Sequence, residues 1–229
     1  MITAETKDGF AVELSEEALD NVELLDALAE VQDADVLSLG RTIRLLMGGL
    51  QPDSGTCTVP GADSASPEFL SLKEDIGVVL DEACLPEVIT PQELGKLLSL
   101  TYTHWEPETY EAYLTRFDIP RNKQFKEFSR GMKMKLAIAA ALSHQAKLLL
   151  LDEATGGLDP MNREEVLDVF NDFTRDEDCT VVFSSHIVSD LEKICDYIAF
   201  LHKGKLILFE EKDRLLEEYA LVKLSPQQL

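Results

Sequence analysis

Four consecutive leucines, Leu148 to Leu151, run into a pair of acids, Asp152 and Glu153, and this abrupt change of polarity is the most distinctive feature of the chain. Short uninterrupted apolar runs read as strands covered on both faces, whereas apolar positions recurring every three to four residues read as helices with one buried side. On that basis residues 147–151, 180–184, 197–201 and 205–209 are predicted strands, and residues 132–143, 162–174, 188–195 and 213–219 predicted helices. Lys203-Gly204 supplies the turn between the last two strands. Apolar strands alternating with amphipathic helices imply an α/β fold built on a parallel sheet, closed by one antiparallel pair.

The earlier half is less regular. Residues 56–59 and 76–80 are predicted strands, and Thr90-Pro91-Gln92-Glu93 opens a helical region that runs with breaks to about residue 117, ahead of Pro120. Residues 2–6 and 10–14 flank Lys7-Asp8-Gly9 and read as a β-hairpin turning at Asp-Gly. Ser15 is a good N-cap for a helix to about residue 31, with Leu14 and Leu19 as its hydrophobic staple and Val22, Leu25, Leu28 and Ala29 extending the stripe. A shorter helix over residues 38–47 stops at Gly48-Gly49.

Composition narrows the possibilities. Of 229 residues 45% are hydrophobic, enough for one large domain with a small appendage and too many for a disordered chain. Lys and Arg number 21 against 43 Asp and Glu, a formal charge of −22 that argues against nonspecific binding to nucleic acid or an anionic lipid face. No apolar run is long enough to span a bilayer and no secretory pattern opens the chain, so a cytoplasmic protein is expected. Cys57, Cys84, Cys179 and Cys195 are scattered without metal-ligand spacing and are expected as free thiols.

Chemistry gathers around the leucine run. A buried strand ending in two carboxylates delivers them to the carboxyl edge of a parallel sheet, where ligands bind. The first acid can hold Mg²⁺ and the second can orient or deprotonate a water for attack on a phosphoryl group. Upstream, Phe128-Ser129-Arg130-Gly131-Met132 places a serine and a glycine just before a helix, an arrangement suited to anions. Downstream come Gly156-Gly157-Leu158-Asp159-Pro160 and Phe183-Ser184-Ser185-His186, the latter setting a histidine just past a strand.

These four segments, in this order and at these separations, resemble the ATP-binding subunit of ABC transporters of the bacterial drug- or peptide-exporter type over residues 50–220. Ser129-Arg130-Gly131-Met132 resembles the signature loop, Leu148 to Glu153 the Walker B strand, Gly156 to Asp159 the D-loop, and His186 the switch histidine. The resemblance implies a P-loop-NTPase-like sheet with a helical signature subdomain over residues 88–140. It implies ATP and Mg²⁺ as cofactors, Asp152 as the metal-supporting residue, Glu153 as the group polarising the attacking water, and His186 as the γ-phosphate contact. Ser129 and Gly131 would cap nucleotide held by an opposite subunit, and Asp159 would couple the two sites. The implied partners are a transmembrane permease and a second cassette, with the protein peripheral to the membrane.

The chain departs from that pattern in two places. Asp81 falls at the Q-loop glutamine, and an ionised Asp can bind a metal but cannot donate a hydrogen bond. No GxxxxGK[ST] phosphate loop is present. The nearest match, Asp35-Val36-Leu37-Ser38-Leu39-Gly40-Arg41-Thr42, keeps Gly40 and Thr42 but has Arg41 for the lysine, bulky leucines in the curl, and an acid at the start. Residues 1–48 read instead as a separate acidic module. Its segments Thr6-Lys7-Asp8-Gly9-Phe10 and Leu24-Leu25-Asp26-Ala27-Leu28-Ala29-Glu30 resemble a small phage tail-assembly protein, making the chain a natural or artificial fusion. The family's phosphate-loop strand lies mid-sheet, so its loss leaves backbone groups unpaired unless residues 10–14 or the end of the first helix fill the gap.

The expected function is therefore that of an ABC-type ATPase subunit whose own hydrolysis is impaired, with a non-catalytic partner subunit or an interaction module as alternatives. Arg130, Lys133 and Lys135 form either a solvated helix face or a phosphate-steering one. Met132 and Met134 read as core packing, Trp105 as aromatic packing, and Phe10 as a possible adenine contact.

Overall fold

The computed structural model describes residues 10–12, 39–50, 57–59, 62–81, 85–202 and 205–218. The expected strand 2–6, the expected helix from Ser15 and the segment 35–38 lie outside the described residues, as does Cys84.

The leucine run forms the second strand of a six-stranded sheet. β5 (Leu148–Asp152) pairs in parallel with β4 (Ile76–Val79) on one side and β6 (Thr180–Ser184) on the other, with Val79, Leu151 and Phe183 in one row. Its leucines alternate between faces, as period-two geometry demands. Leu149 and Leu151 enter one apolar cluster with Leu136, Ile138, Val166 and Phe170, while Leu148 and Leu150 enter another with Ile43, Leu46 and Phe69. Helices thus cover the sheet on both faces, which is why this strand reads as continuously apolar.

β1 (Phe10–Val12) lies mid-sheet, between β6 and β7 (Tyr197–His202), antiparallel to both. Phe10–Val12, part of the first of the two segments considered for the phosphate-loop strand position, occupies this mid-sheet place. β8 (Lys205–Glu211) completes the six-stranded sheet by pairing with β7. β2 (Thr58–Val59) does not join that sheet but forms a separate two-stranded hairpin with β3 (Ala62–Asp63).

Helix ends follow local chemistry. α1 (Leu39–Leu46) stops where Gly48 adopts a φ of +66° and Gly49 N–H returns to the Arg44 carbonyl at 2.7 Å. A one-turn helix, α2 (Phe69–Leu72), buries Phe69. The helical region after Thr90 divides into α3 (Pro91–Thr101) and α4 (Pro107–Arg116), each with proline in its first turn. Thr90 and Glu93 form a reciprocal capping box on α3. α5 (Arg130–Ala141) and α6 (Pro160–Phe173) start two residues earlier than the apolar stripes suggest, because Ser129 and Asp159 act as N-caps directly ahead of Arg130 and Pro160. α7 (Val188–Ile194) and α8 (Lys212–Glu218) follow β6 and β8.

Gly77 fixes how closely α5 approaches the sheet. A Cβ there would lie 2.8 Å from the Ala141 carbonyl oxygen and 2.5 Å from Leu149 Cδ2. Only a bare backbone permits β4, β5 and the end of α5 to meet at this separation.

Candidate functional site

Asp152 closes β5, opposite Ser184 at the end of β6. The Ser184 hydroxyl donates to Asp152 Oδ1 at 3.0 Å and accepts from the Glu153 N–H at 3.1 Å, so one buried serine fixes both acids. Glu153 has a φ of +50°, an uncommon conformation for a residue with a side chain, and strand pairing ends just before it. From the next loop His186 Nδ1 comes to 2.7 Å from Glu153 Oε2. The glutamate side chain is 17% exposed and the imidazole 69%, so the pair has a buried and a solvent-facing end.

Burial is the largest influence on both acids. Burial pushes the Glu153 carboxyl above the usual carboxylate range, with His186 opposing the rise and the nearby charges of Asp152 and Asp81 adding to it. Burial also raises Asp152, partly offset by its hydrogen bond from Ser184, with Asp81 raising it further and Arg44 lowering it. Asp81 therefore belongs to the same carboxylate edge. Among the described residues no three His, Cys, Asp or Glu side chains form a self-sufficient metal cage. Asp152 offers a single carboxylate, which fits Mg²⁺ held jointly by one protein acid and substrate phosphates.

Ser129, Gly131 and Asp159 meet elsewhere. With Met132, Gly157 and Lys135 they line a notch of about 500 Å³ at the N-terminus of α5. Both polar members also serve the helices they precede. Ser129 Oγ accepts from the Met132 N–H at 3.3 Å, and Asp159 Oδ1 accepts from the Asn162 N–H at 3.1 Å, a bond that holds the Asp159 carboxyl below its ordinary range. A Cβ on Gly131 would stand 3.1 Å from Leu158 Cδ2, so this glycine keeps the notch wall close to the backbone.

The structure thus gathers the named residues into two groups, the acids with His186 and the notch with Ser129 and Gly131. Gly40, Arg41 and Thr42 lie in α1, outside both, with Thr42 buried. The bases of α5 differ in exposure, Arg130 being exposed, Lys133 half-buried and Lys135 buried. Lys135, 8% exposed, reaches Glu165 at 2.7 Å and bonds to Asn162 over the Phe117 ring. Lys133 lies over the Phe125 ring, and Arg130 pairs with Asp81. Met134 is core, Met132 packs against it, and Trp105 packs on Tyr110 with ring centres 5.1 Å apart.

Sequence reasoning assigned no role to Ser184, Arg44 or Asp190. Ser184 stands in the motif Phe183-Ser184-Ser185-His186, but its partnership with Asp152 emerges only from strand register. Asp190, buried on α7, accepts from Thr155 Oγ1 at 2.8 Å and lies 3.9 Å from Arg163 Nε, tying three elements around the loop after Glu153. A second cavity of about 550 Å³, mostly apolar, opens between β4 and α3 and includes Leu85, Leu94, Leu98, Tyr102 and His144. His144 stacks on Tyr102 with ring centres 4.0 Å apart, and burial keeps it below the ordinary histidine range.

The arrangement is an α/β domain with acids gathered at the carboxyl edge of its parallel strands, and comparison with known proteins gives its family. The family model described as "ABC transporter" matches residues 40–156. A lantibiotic transport ATP-binding protein, SrtF of Streptococcus pyogenes, is 46% identical over 173 residues, covering 75% of this chain and 73% of the relative. The ABC transporter ATP-binding protein YtrB of Bacillus subtilis is 26% identical over 213 residues, 90% of this chain and 72% of that protein. The bacitracin transport ATP-binding protein BcrA of Bacillus licheniformis is 30% identical over 197 residues, of which this chain spans 62% of the length. The chain belongs to the ABC transporter family. Its fold matches an ATP-binding subunit of an ABC transporter with a TM-score of 0.70 at 24% identity, over 81% of this chain and 78% of that one. It also matches the dimeric ATP-binding cassette MJ0796 bound to ADP and phosphate, with a TM-score of 0.67 at 19% identity, over 76% and 80%. Among the described residues no helix is long and apolar enough to cross a membrane.

Proposed function

We propose that the chain is an ATP-binding subunit of an export-type ABC transporter that couples MgATP to transport, with turnover of its own site impaired. The observation that carries this reading is the assembled carboxylate edge, Asp152, Glu153 and His186 held by Ser184, in a chain whose sequence has no phosphate-loop lysine. Mg²⁺, when bound with nucleotide, supplies charge neutralisation at the phosphates. Asp152 is the residue that would hold it, Glu153 would orient the attacking water, and His186 would steady Glu153 from the solvent side. The sequence has no lysine to reach the β/γ oxygens from a curled glycine loop, and losing one such charge-assisted bond costs about 1.5–3 kcal/mol of ground-state binding.

A second reading draws on the separation of the two groups of residues. The Ser129–Gly131 notch is lined by neither Asp152 nor Glu153 and is suited to completing a site whose phosphate loop belongs to an intact partner cassette. Hydrolysis of MgATP by the purified chain should be weak, and mixing with an intact exporter cassette should raise it unless Gly131→Asp blocks the notch. Robust turnover by the chain alone, abolished by Glu153→Gln, would overturn the impaired-site reading; absence of any rise on mixing would overturn the partner reading.

A further inference from the structure

Arg130 sits between Ser129 and Gly131 and lines the notch with them, but its side chain runs on beyond it. Its stem crosses the floor made by Gly157, whose φ is +76° and where a Cβ would lie 3.1 Å from Arg130 Cδ. Its guanidinium then ends on the Asp81 carboxylate just beyond β4. One side chain therefore begins in the notch, passes over the loop that follows Glu153, and finishes at the carboxylate edge. Among the described residues no other ion pair joins the α5 N-terminus to the end of β4.

We propose that Asp81 and Arg130 form a releasable latch that sets the signature segment against the carboxylate edge within one chain. The assignment gives the acid at the Q-loop position a role its chemistry allows, since a carboxylate is a poor substitute for an amide that donates but a good anchor for a guanidinium. Arg130 is the natural counterpart because its planar fork can stay on Asp81 while its stem lies flat on a glycine surface. The latch is releasable because the two side chains are 59% and 42% exposed, so that salt, or an anion in the notch, competes for the guanidinium. Its positioning partner is Gly157: any side chain there would lift the arginine stem off its track.

The part played by anions rests on the reading of Ser129 and Gly131 as a phosphate-facing notch, whereas the latch itself does not. Amide exchange measured on the whole chain tests the latch directly. Asp81→Asn and Arg130→Gln should each speed exchange at the amides of Met132 to Leu136 roughly two- to fivefold, the range a half-exposed ion pair controls, with little change in melting temperature. The charge swap Asp81→Arg with Arg130→Asp should restore protection, which loss of generic packing would not. Raising ionic strength to roughly 0.5 M should loosen the wild type and leave Asp81→Asn unaffected. Unchanged exchange in both single variants, or a folded swap that restores nothing, would overturn the latch. Binding of inorganic tripolyphosphate separates the two ideas: Asp81→Asn should bind it more tightly than wild type by freeing Arg130, and Arg130→Gln more weakly. Equal affinities together with altered exchange would overturn the phosphate-facing notch and leave the latch standing.

Discussion

Glu153 and His186 meet across the carboxyl edge of the sheet at 2.7 Å, brought there from loops more than thirty residues apart by the pairing of β5 with β6. The contact orients a carboxylate whose burial works against its own ionisation. The function proposed for Glu153 and the stability of the domain are therefore in tension at this position.

That tension is measurable as a pH effect. The unfolded Glu153 carboxyl titrates near its ordinary 4.5, while the folded one is raised by burial. Below the unfolded value both states are protonated and the group is neutral to stability. As pH rises toward the folded value the unfolded chain gains ionisation that the native state does not, so stability falls through that window and then levels. Glu153→Gln should melt like the wild type at low pH and at a higher temperature near neutrality. Identical melting curves at all pH values would refute the assignment.

Asp190 should matter to folding more than its distance from the acids suggests. It is buried, accepts the Thr155 hydroxyl, and is the nearest anion to Arg163 Nε, which has no hydrogen-bond partner of its own. Asp190→Ala leaves that charge uncompensated and should cost about 3–5 kcal/mol in denaturant unfolding, whereas Asp190→Asn should cost less.

Gly77→Ala tests the contact that seats α5. The added methyl meets a backbone oxygen as well as a leucine terminus, so the helix itself has to shift. A loss of about 1–3 kcal/mol is expected, along with weaker protection of the Ser129 notch by amide exchange. A Gly77→Ala protein as stable as the wild type would show that the close approach is relaxed in solution.

The sheet after residue 130 was legible because its strands are covered on both faces and alternate with amphipathic helices; residues 180–184 are predicted and found with the same bounds. Boundaries of α5 and α6 were hidden because the residues that start them, Arg130-Gly131 and Pro160-Met161, follow the N-caps Ser129 and Asp159, where capping and not hydrophobicity decides the start. The acids and His186 could be read from position alone, since strand ends in a parallel sheet face one edge. Ser184 and Asp190 could not, because their importance comes from register and from contacts between separate elements. Lys135 looked like surface, and only the approach of Glu165 from α6 makes it an interior cation.

The placement of β1 has a consequence for how this molecule assembles. Three residues near the start of the chain, Phe10 to Val12, bridge Ser184 on one side and Ala199 to Leu201 on the other, closing a circuit of nearly two hundred residues. Contacts of such sequence separation form late and slowly. Until they do, β4–β6 and β7–β8 are two ribbons with bare facing edges, prone to recruit a strand from a neighbouring molecule. Deleting the first dozen residues should leave a protein that still acquires secondary structure but aggregates on refolding, and supplying those residues as a free peptide should rescue it in a dose-dependent way.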